Sequence, residues 1–160
     1  FYGMLAIGIA SVSIGLLDGA VDRFGELATA KKPEGSKRTL AERDSGQAAL
    51  STAEATARSS RAFLHDAIGE AWTTAAAGDP LTLEHRRSLR LAACDAAQRC
   101  ADALIALGRE AGGAAVYLRE PLQRKIRDGQ VAATHAMVAP RIHELTGRLA
   151  LGLETDTTLL

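Results

Sequence analysis

Between Thr82 and Gly112 one pattern recurs: Leu89, Ala93, Ala96, Cys100, Ala103 and Leu107 follow each other at intervals of 4, 3, 4, 3 and 4 residues. An α-helix brings residues at that spacing onto one side, and such a regular seam is what packing against other helices at shallow crossing angles requires. The other segments carry stripes of the same kind. Leu50, Ala53, Ala57, Leu64 and Ile68, with Ala71 or Trp72, form a second, and Val138, Ile142, Leu145, Leu149 and Leu153 form a third. Nowhere do apolar and polar residues alternate as in a half-buried strand, and Ala, the best helix former, is abundant throughout. The punctuation is equally clear. Gly78-Asp79-Pro80 stops one helix and Thr82 caps the next; Gly112-Gly113 ends that one; Pro121 suits a first turn, and Pro140 interrupts or restarts the last helix. The sequence therefore predicts an all-α antiparallel four-helix bundle, with helices near residues 3–29, 45–77, 82–108 and 121–152, the last broken near Pro140. Asp44 or Ser45 is the expected cap of the second helix, residues 31–44 form a long polar connection, and the bundle fills 1–153 with a frayed tail over 154–160.

Residues 1–17 carry no charge. A signal peptide wants a basic start, and the first basic residue is Arg23. A membrane span wants about 20 apolar residues, whereas Gly3, Gly8, Ser11, Ser13 and Gly15 dilute this run and Asp18 and Asp22 end it. The reading that fits is a soluble helix buried on most sides, with one stripe of Leu5, Ile9, Val12 and Leu16 and another of Ile7, Ile14, Leu17, Val21, Phe24 and Ala28. Two apolar faces exceed what one bundle interior covers, so a homodimer or homotetramer through the bundle is expected. A chain that opens in mid-helix on Phe1 rather than Met also reads as a piece of a longer protein.

With 19 Lys and Arg against 19 Asp and Glu, no positive excess favours nucleic acid or a membrane surface as partner. Cys94 and Cys100, six residues apart on one helix, lie about 9 Å apart along its axis, beyond disulfide reach. Free thiols and a cytoplasmic setting are expected. The residues three before each histidine are Ala62, Thr82, Ala132 and Pro140, so the Glu-x-x-His device of di-iron bundles is missing and no metal site is expected. His65 and His85 read as surface histidines. One constellation stands out: Arg124, Asp128 and His135 at i, i+4 and i+11 return to nearly one face if the helix persists to His135, with Arg127 beside them. It reads either as a salt-bridged surface with a histidine at the helix end, or as an Arg–Asp pair that fixes the helix while His135 faces a site beyond the bundle.

The segment Pro121-Leu122-Gln123-Arg124-Lys125-Ile126-Arg127-Asp128, with Ala133-Thr134-His135-Ala136-Met137-Val138-Ala139-Pro140 after it, resembles the last conserved block of the acyl-CoA dehydrogenase superfamily. More narrowly it resembles the type 2 C-terminal domain of flavin-dependent monooxygenases of the aromatic-hydroxylase and dibenzothiophene-monooxygenase kind. Phe63-Leu64-His65-Asp66-Ala67, Ala77-Gly78-Asp79-Pro80-Leu81 and Ala111-Gly112-Gly113 ahead of Tyr117 agree, in order along the chain. The resemblance implies an N-terminal helical domain and a middle β-domain upstream, a flavin (FAD or FMN) held mainly by that middle domain, bundles paired into dimers of dimers, and a flavin reductase as electron donor. It also places Gly113, beside Gly112, near the phosphate or adenosine end of a neighbouring subunit's flavin. Arg109 stands where the dehydrogenases carry a Gln, and it could still pair with phosphate. Arg38, in the connection after the first helix, is a further candidate for the cofactor, although Thr39-Leu40-Ala41 lacks the family's Phe-Gly.

Most dehydrogenases of this superfamily place a catalytic Glu just after the position of Arg127-Asp128. Residues 129–140 contain no carboxylate here, and Thr134-His135 takes the place. A flavin monooxygenase needs no such base; it needs hydrogen-bond donors beside the flavin or a group that assists substrate deprotonation, and a histidine serves either. The resemblance thus implies a two-component monooxygenase using reduced flavin and O2 on a small organic substrate, with His135 as the catalytic residue supported by Arg124, Arg127 and Asp128. The alternatives are an acyl-CoA dehydrogenase with its base elsewhere and a bundle that only oligomerises. The 160-residue chain alone is expected to be inactive.

Overall fold

A computed structural model describes residues 3–158 and residue 160. Phe1, Tyr2 and Leu159, the ends of the chargeless opening and of the tail, lie outside the described residues. Helix α1 spans Gly3–Ala30, α2 Asp44–Ala76, α3 Leu83–Ala111, α4 Pro121–Ala133 and α5 Arg141–Ala150, with a short 3₁₀ turn over Gly112–Val116. No strand occurs among the described residues.

Side-chain bonds between helices fix their directions. Ser45 at the start of α2 donates to Glu110 near the end of α3, and Gln130 on α4 donates to the Ala101 carbonyl of α3. Both pairs are therefore antiparallel. Lys31, just past α1, donates to the last carbonyl of α3, Ala111, at 2.6 Å, so α1 and α3 run in the same direction. Helices α1 and α3 form one diagonal of an up-down bundle, and α2 and α4 flank them. The core joins Leu17 and Phe24 of α1, Leu64 of α2, Leu89, Leu104 and Leu107 of α3, and Leu122 of α4, each 2% exposed or less. Alanines 92, 93, 96 and 97 are fully buried, and these small side chains let α3 sit at the centre.

Thr82 caps α3 as its sequence position requires: its hydroxyl accepts from the His85 N–H, and His85 Nδ1 accepts from the Thr82 N–H. Two expectations change. The residue before α2 is Arg43, in extended geometry and without a side-chain cap, because Asp44 and Ser45 are already the first two residues of the helix. The expected polar connection, over 31–43, folds back so that Leu40 is buried, and Gly46 lies so close to the Leu40 carbonyl that a Cβ there would come within 2.6 Å. The larger change concerns α1. Gly3, Ala6, Ala10, Ser13, Ile14, Leu17, Ala20, Phe24 and Ala28 face the bundle, whereas Leu5 and Val12 of the other stripe are 61% and 58% exposed and Met4 is 73% exposed. The buried face uses small residues because α1 crosses both α3 and α4 closely. The helix is long and apolar enough to cross a membrane by length and composition, while a third of its most apolar window is buried in the bundle.

Candidate functional site

The fourth helix stops at Ala133, two residues short of His135. The chain tightens there: the N–H groups of Thr134 and His135 donate three residues back, to Val131 and Ala132, and the Thr134 hydroxyl also donates to Val131. His135 thus stands in a turn over 134–140 between α4 and α5, and the shared helical face expected for Asp128 and His135 is absent. The turn is fastened from α3 instead. Gln98 gives both amide hydrogens to it, one to Ala133 O at 2.8 Å and one to Val138 O at 2.9 Å. One turn earlier the Cys94 thiol donates to Val138 O, and a further turn back Arg90 Nη1 donates to the Met137 thioether at 3.2 Å. Residues 90, 94 and 98, at i, i+4 and i+8, form one row down α3. The sequence carries this row in plain view as a polar line beside an apolar seam, and only the packing of the turn against it gives it a role.

His135 is exposed, and its Nδ1 accepts from the Met137 N–H at 3.2 Å. With Nδ1 accepting, the neutral form of the ring carries its proton on Nε2. The imidazole therefore offers an outward N–H donor, held by the backbone of its own turn.

Arg124, Arg127 and Asp128 lie on the outer face of α4. Asp128 accepts from Arg124 Nε at 3.2 Å and from Arg127 Nη2 at 3.1 Å, and the Arg127 guanidinium, followed by that of Arg124, lowers its carboxyl from the ordinary value. None of the three bonds to His135. Arg124 and Asp128 border a shallow hollow with Leu16, Pro121 and Lys125.

The glycine pair lies elsewhere. Gln98 and Gly112 are 14 residues apart on α3, about 21 Å along the axis. Gly112 ends α3 with φ 58°, a left-handed geometry that favours glycine. Beyond it opens a cleft of about 660 Å³ lined by Lys31, Arg43, Arg109 and Arg119 together with Glu34, Glu110, Glu120 and both glycines. Glu120 is already committed, since Arg23 grips it with Nε at 2.7 Å and Nη2 at 2.9 Å. Arg38 does not reach the cleft. It is exposed in a tight local turn in which its N–H donates to Ser36 Oγ, and Arg43 holds the cleft position that the sequence suggested for Arg38.

Residues 7–140 match the family model described as acyl-CoA dehydrogenase, C-terminal domain. The chain belongs to this family. It is 29% identical over 144 residues to an indole-3-acetate monooxygenase from Pseudomonas putida and 27% identical over 143 residues to one from Acinetobacter baumannii. These alignments cover 90% and 89% of the chain but 37% of each relative, so the chain spans little more than a third of their length. Among solved structures, XiaF from Streptomyces sp. in complex with FADH2 and glycerol superposes with a TM-score of 0.81 at 27% identity, over 99% of this chain and 41% of that one. The 3-HSA hydroxylase from Rhodococcus sp. RHA1, at 21% identity, shares the fold with a TM-score of 0.86 over 100% of this chain and 41% of that one.

As an acyl-CoA dehydrogenase C-terminal domain, the chain can be tested for its fit to a flavin nucleotide. The Gly112–Gly113 turn leaves room for one: both glycines are exposed, an added Cβ would meet nothing within 4 Å at either, and Arg43, Arg109 and Arg119 line the opening beside Lys31, which is held on the Ala111 carbonyl, and Glu34, Glu110 and the Arg23-bound Glu120. Backbone and cations there can approach a phosphate. The 134–140 turn presents the exposed His135 ring, whose Nδ1 is held by the Met137 N–H, and it carries no carboxylate to act as a base.

Proposed function

We propose that this chain is the C-terminal domain of a two-component flavin-dependent monooxygenase that acts on a small aromatic or similar organic substrate. A bound reduced flavin, FAD or FMN, supplies the electrons and the O2 chemistry, and a flavin reductase delivers it. The chain supplies one wall of that site, with the rest of the polypeptide covering the other face. His135 acts there as a hydrogen-bond donor through Nε2 while its Nδ1 stays on Met137, which favours stabilising a developing anion over abstracting a proton. Gly112, Gly113 and Arg109, joined by Arg43 and Arg119, receive the phosphate or adenosine end of a flavin from another copy. The exposed Met4, Leu5 and Val12 of α1 meet a second copy in a homodimer or homotetramer. Two buried free thiols, Cys94 and Cys100, suit the cytoplasm.

The observation that carries this reading is the His135 turn: a donor with a fixed tautomer, in a segment without any carboxylate, in a chain aligned over nine-tenths of its length with two monooxygenases. The test is to supply the full-length protein with reduced flavin, isotopically labelled O2 and a panel of small aromatic acids. Label in a hydroxylated product supports the reading. Oxidation of an acyl thioester without uptake of label overturns it in favour of dehydrogenation.

A further inference from the structure

Arg90 has no exposed surface, and it is the largest of the fully buried side chains. Its Nε and Nη2 have no hydrogen-bond partner among the described residues, nor has the buried Nε of Arg86 one turn before it. Among the described residues the only bond Arg90 makes is from Nη1 to the Met137 thioether, among the weakest acceptors a protein offers. Arg141, at the start of α5, adds a like charge nearby. A guanidinium does not shed its proton to escape such a place, and water could satisfy its donors without compensating its charge. The arrangement calls for an anion, and a planar fork of N–H donors matches a carboxylate.

Met137 connects this cation to the candidate catalytic face: its backbone N–H holds the His135 ring and its side chain holds Arg90. A methionine side chain is flexible and easily displaced. Displacing it would free the donor of Arg90 that the thioether now occupies. We propose that Arg90 is the carboxylate anchor for an aromatic-acid substrate, with the acid replacing the Met137 thioether on the guanidinium. This rests on the monooxygenase reading and adds to it the substrate class and the residue that selects it. Indole-3-acetate, for which both monooxygenase relatives are named, is an acid of this class.

The test is calorimetric titration of the full-length protein, without flavin turnover, using indole-3-acetate and phenylacetate against the neutral indole-3-acetamide. The acids should bind the parent and bind Arg90→Gln and Arg90→Met about 10- to 100-fold more weakly, the range for losing a hydrogen-bonded charge. The amide should bind all three proteins alike. Arg90→Met should also melt at a higher temperature than the parent when no acid is present, because an uncompensated buried charge has been replaced by an apolar side chain of similar length. Equal binding of acid and amide to the parent would overturn the proposal. So would a lower melting temperature in Arg90→Met together with no response of the parent to any acid, since a carboxylate of the protein itself would then hold the guanidinium. A parent that oxygenates but binds acid and amide alike, or Arg90 variants that keep the parent's acid preference, refute the anchor alone; an acid preference that depends on Arg90 in a protein that does not oxygenate refutes the monooxygenase reading alone.

Discussion

Helix α4 lies on α3 at a contact that Gly129 makes possible. A Cβ built on Gly129 would run into Cδ1 of Leu104, which has no exposed surface, and one on Gly108 would meet Ile126 Cδ1 at 2.6 Å. This close approach sets how near α4 lies to α3 and therefore how closely the His135 turn meets Arg90, Cys94 and Gln98. Gly129→Ala gains about 1 kcal/mol of helix propensity and loses about 1–3 kcal/mol to overpacking against Leu104. The net effect is a destabilisation of up to about 2 kcal/mol. Leu104→Ala alone, at a fully buried site, costs about 2–5 kcal/mol. In the double variant the methyl group added by Gly129→Ala enters the space that Leu104 vacates. The second substitution should then stabilise by about 1 kcal/mol, giving a coupling of about 1–3 kcal/mol between the sites. Denaturant unfolding of all four proteins, with midpoint and slope fitted together, measures it. Additive effects, with Gly129→Ala equally harmful in both backgrounds, would show that Leu104 does not limit the approach and would refute the reasoning.

Two further outcomes rest on individual groups. The Arg23 guanidinium, with a smaller contribution from the Leu122 N–H, holds the Glu120 carboxyl below its ordinary 4.5. Its contribution to stability is therefore complete above about pH 4.5 and is lost as pH falls through the lower folded value. Unfolding measured from pH 7 to pH 3 should show a stability advantage of the parent over Glu120→Gln that shrinks on acidification; an advantage independent of pH would contradict the pairing. Burial pushes the thiols of Cys94 and Cys100 up to about 11, leaving a thiolate fraction of about a thousandth at pH 8. Neither should be alkylated by iodoacetamide at that pH until denaturant is added, and modification of the folded protein read by mass spectrometry would show that one is accessible.

Local signals survived folding where the chain alone decides the geometry. Gly78-Asp79-Pro80 and the Thr82 cap mark helix ends because they act on their own backbone, and the α3 seam is buried as its spacing requires, with Ala103 only partly covered and Leu104 fully buried beside it. What the sequence does not display depends on a neighbour. The end of α4 at Ala133 comes from Gln98 and Cys94 on α3 taking the carbonyls of the turn, so the extension of the helix to His135, and with it the face shared with Asp128, could not be read from residues 121–137. Arg43 displaced Arg38 at the cleft because residues 31–43 fold back over the start of α2, a path fixed by the burial of Leu40. Of the two apolar stripes on α1, the one with Phe24 and Ala28 turned inward; bulk at Leu5 and Val12 would hold the helices apart, and periodicity alone gives both faces equal weight. Nothing in the sequence neighbourhood of Arg90 says that α5 and Met137 will close over it.

The central claim, that His135 donates a hydrogen bond within a reduced-flavin monooxygenase site, is tested most directly by the partition of O2 in His135→Ala. Full-length parent and variant are supplied with reduced flavin and substrate, and hydroxylated product and hydrogen peroxide are counted per flavin oxidised. Loss of the donor should lower product formation by about 100-fold, the range for a general acid or an anion-stabilising group, with peroxide rising to take its place and melting temperature and oligomer unchanged. An unchanged ratio of product to peroxide would contradict the account and leave His135 as a histidine that merely braces its own turn.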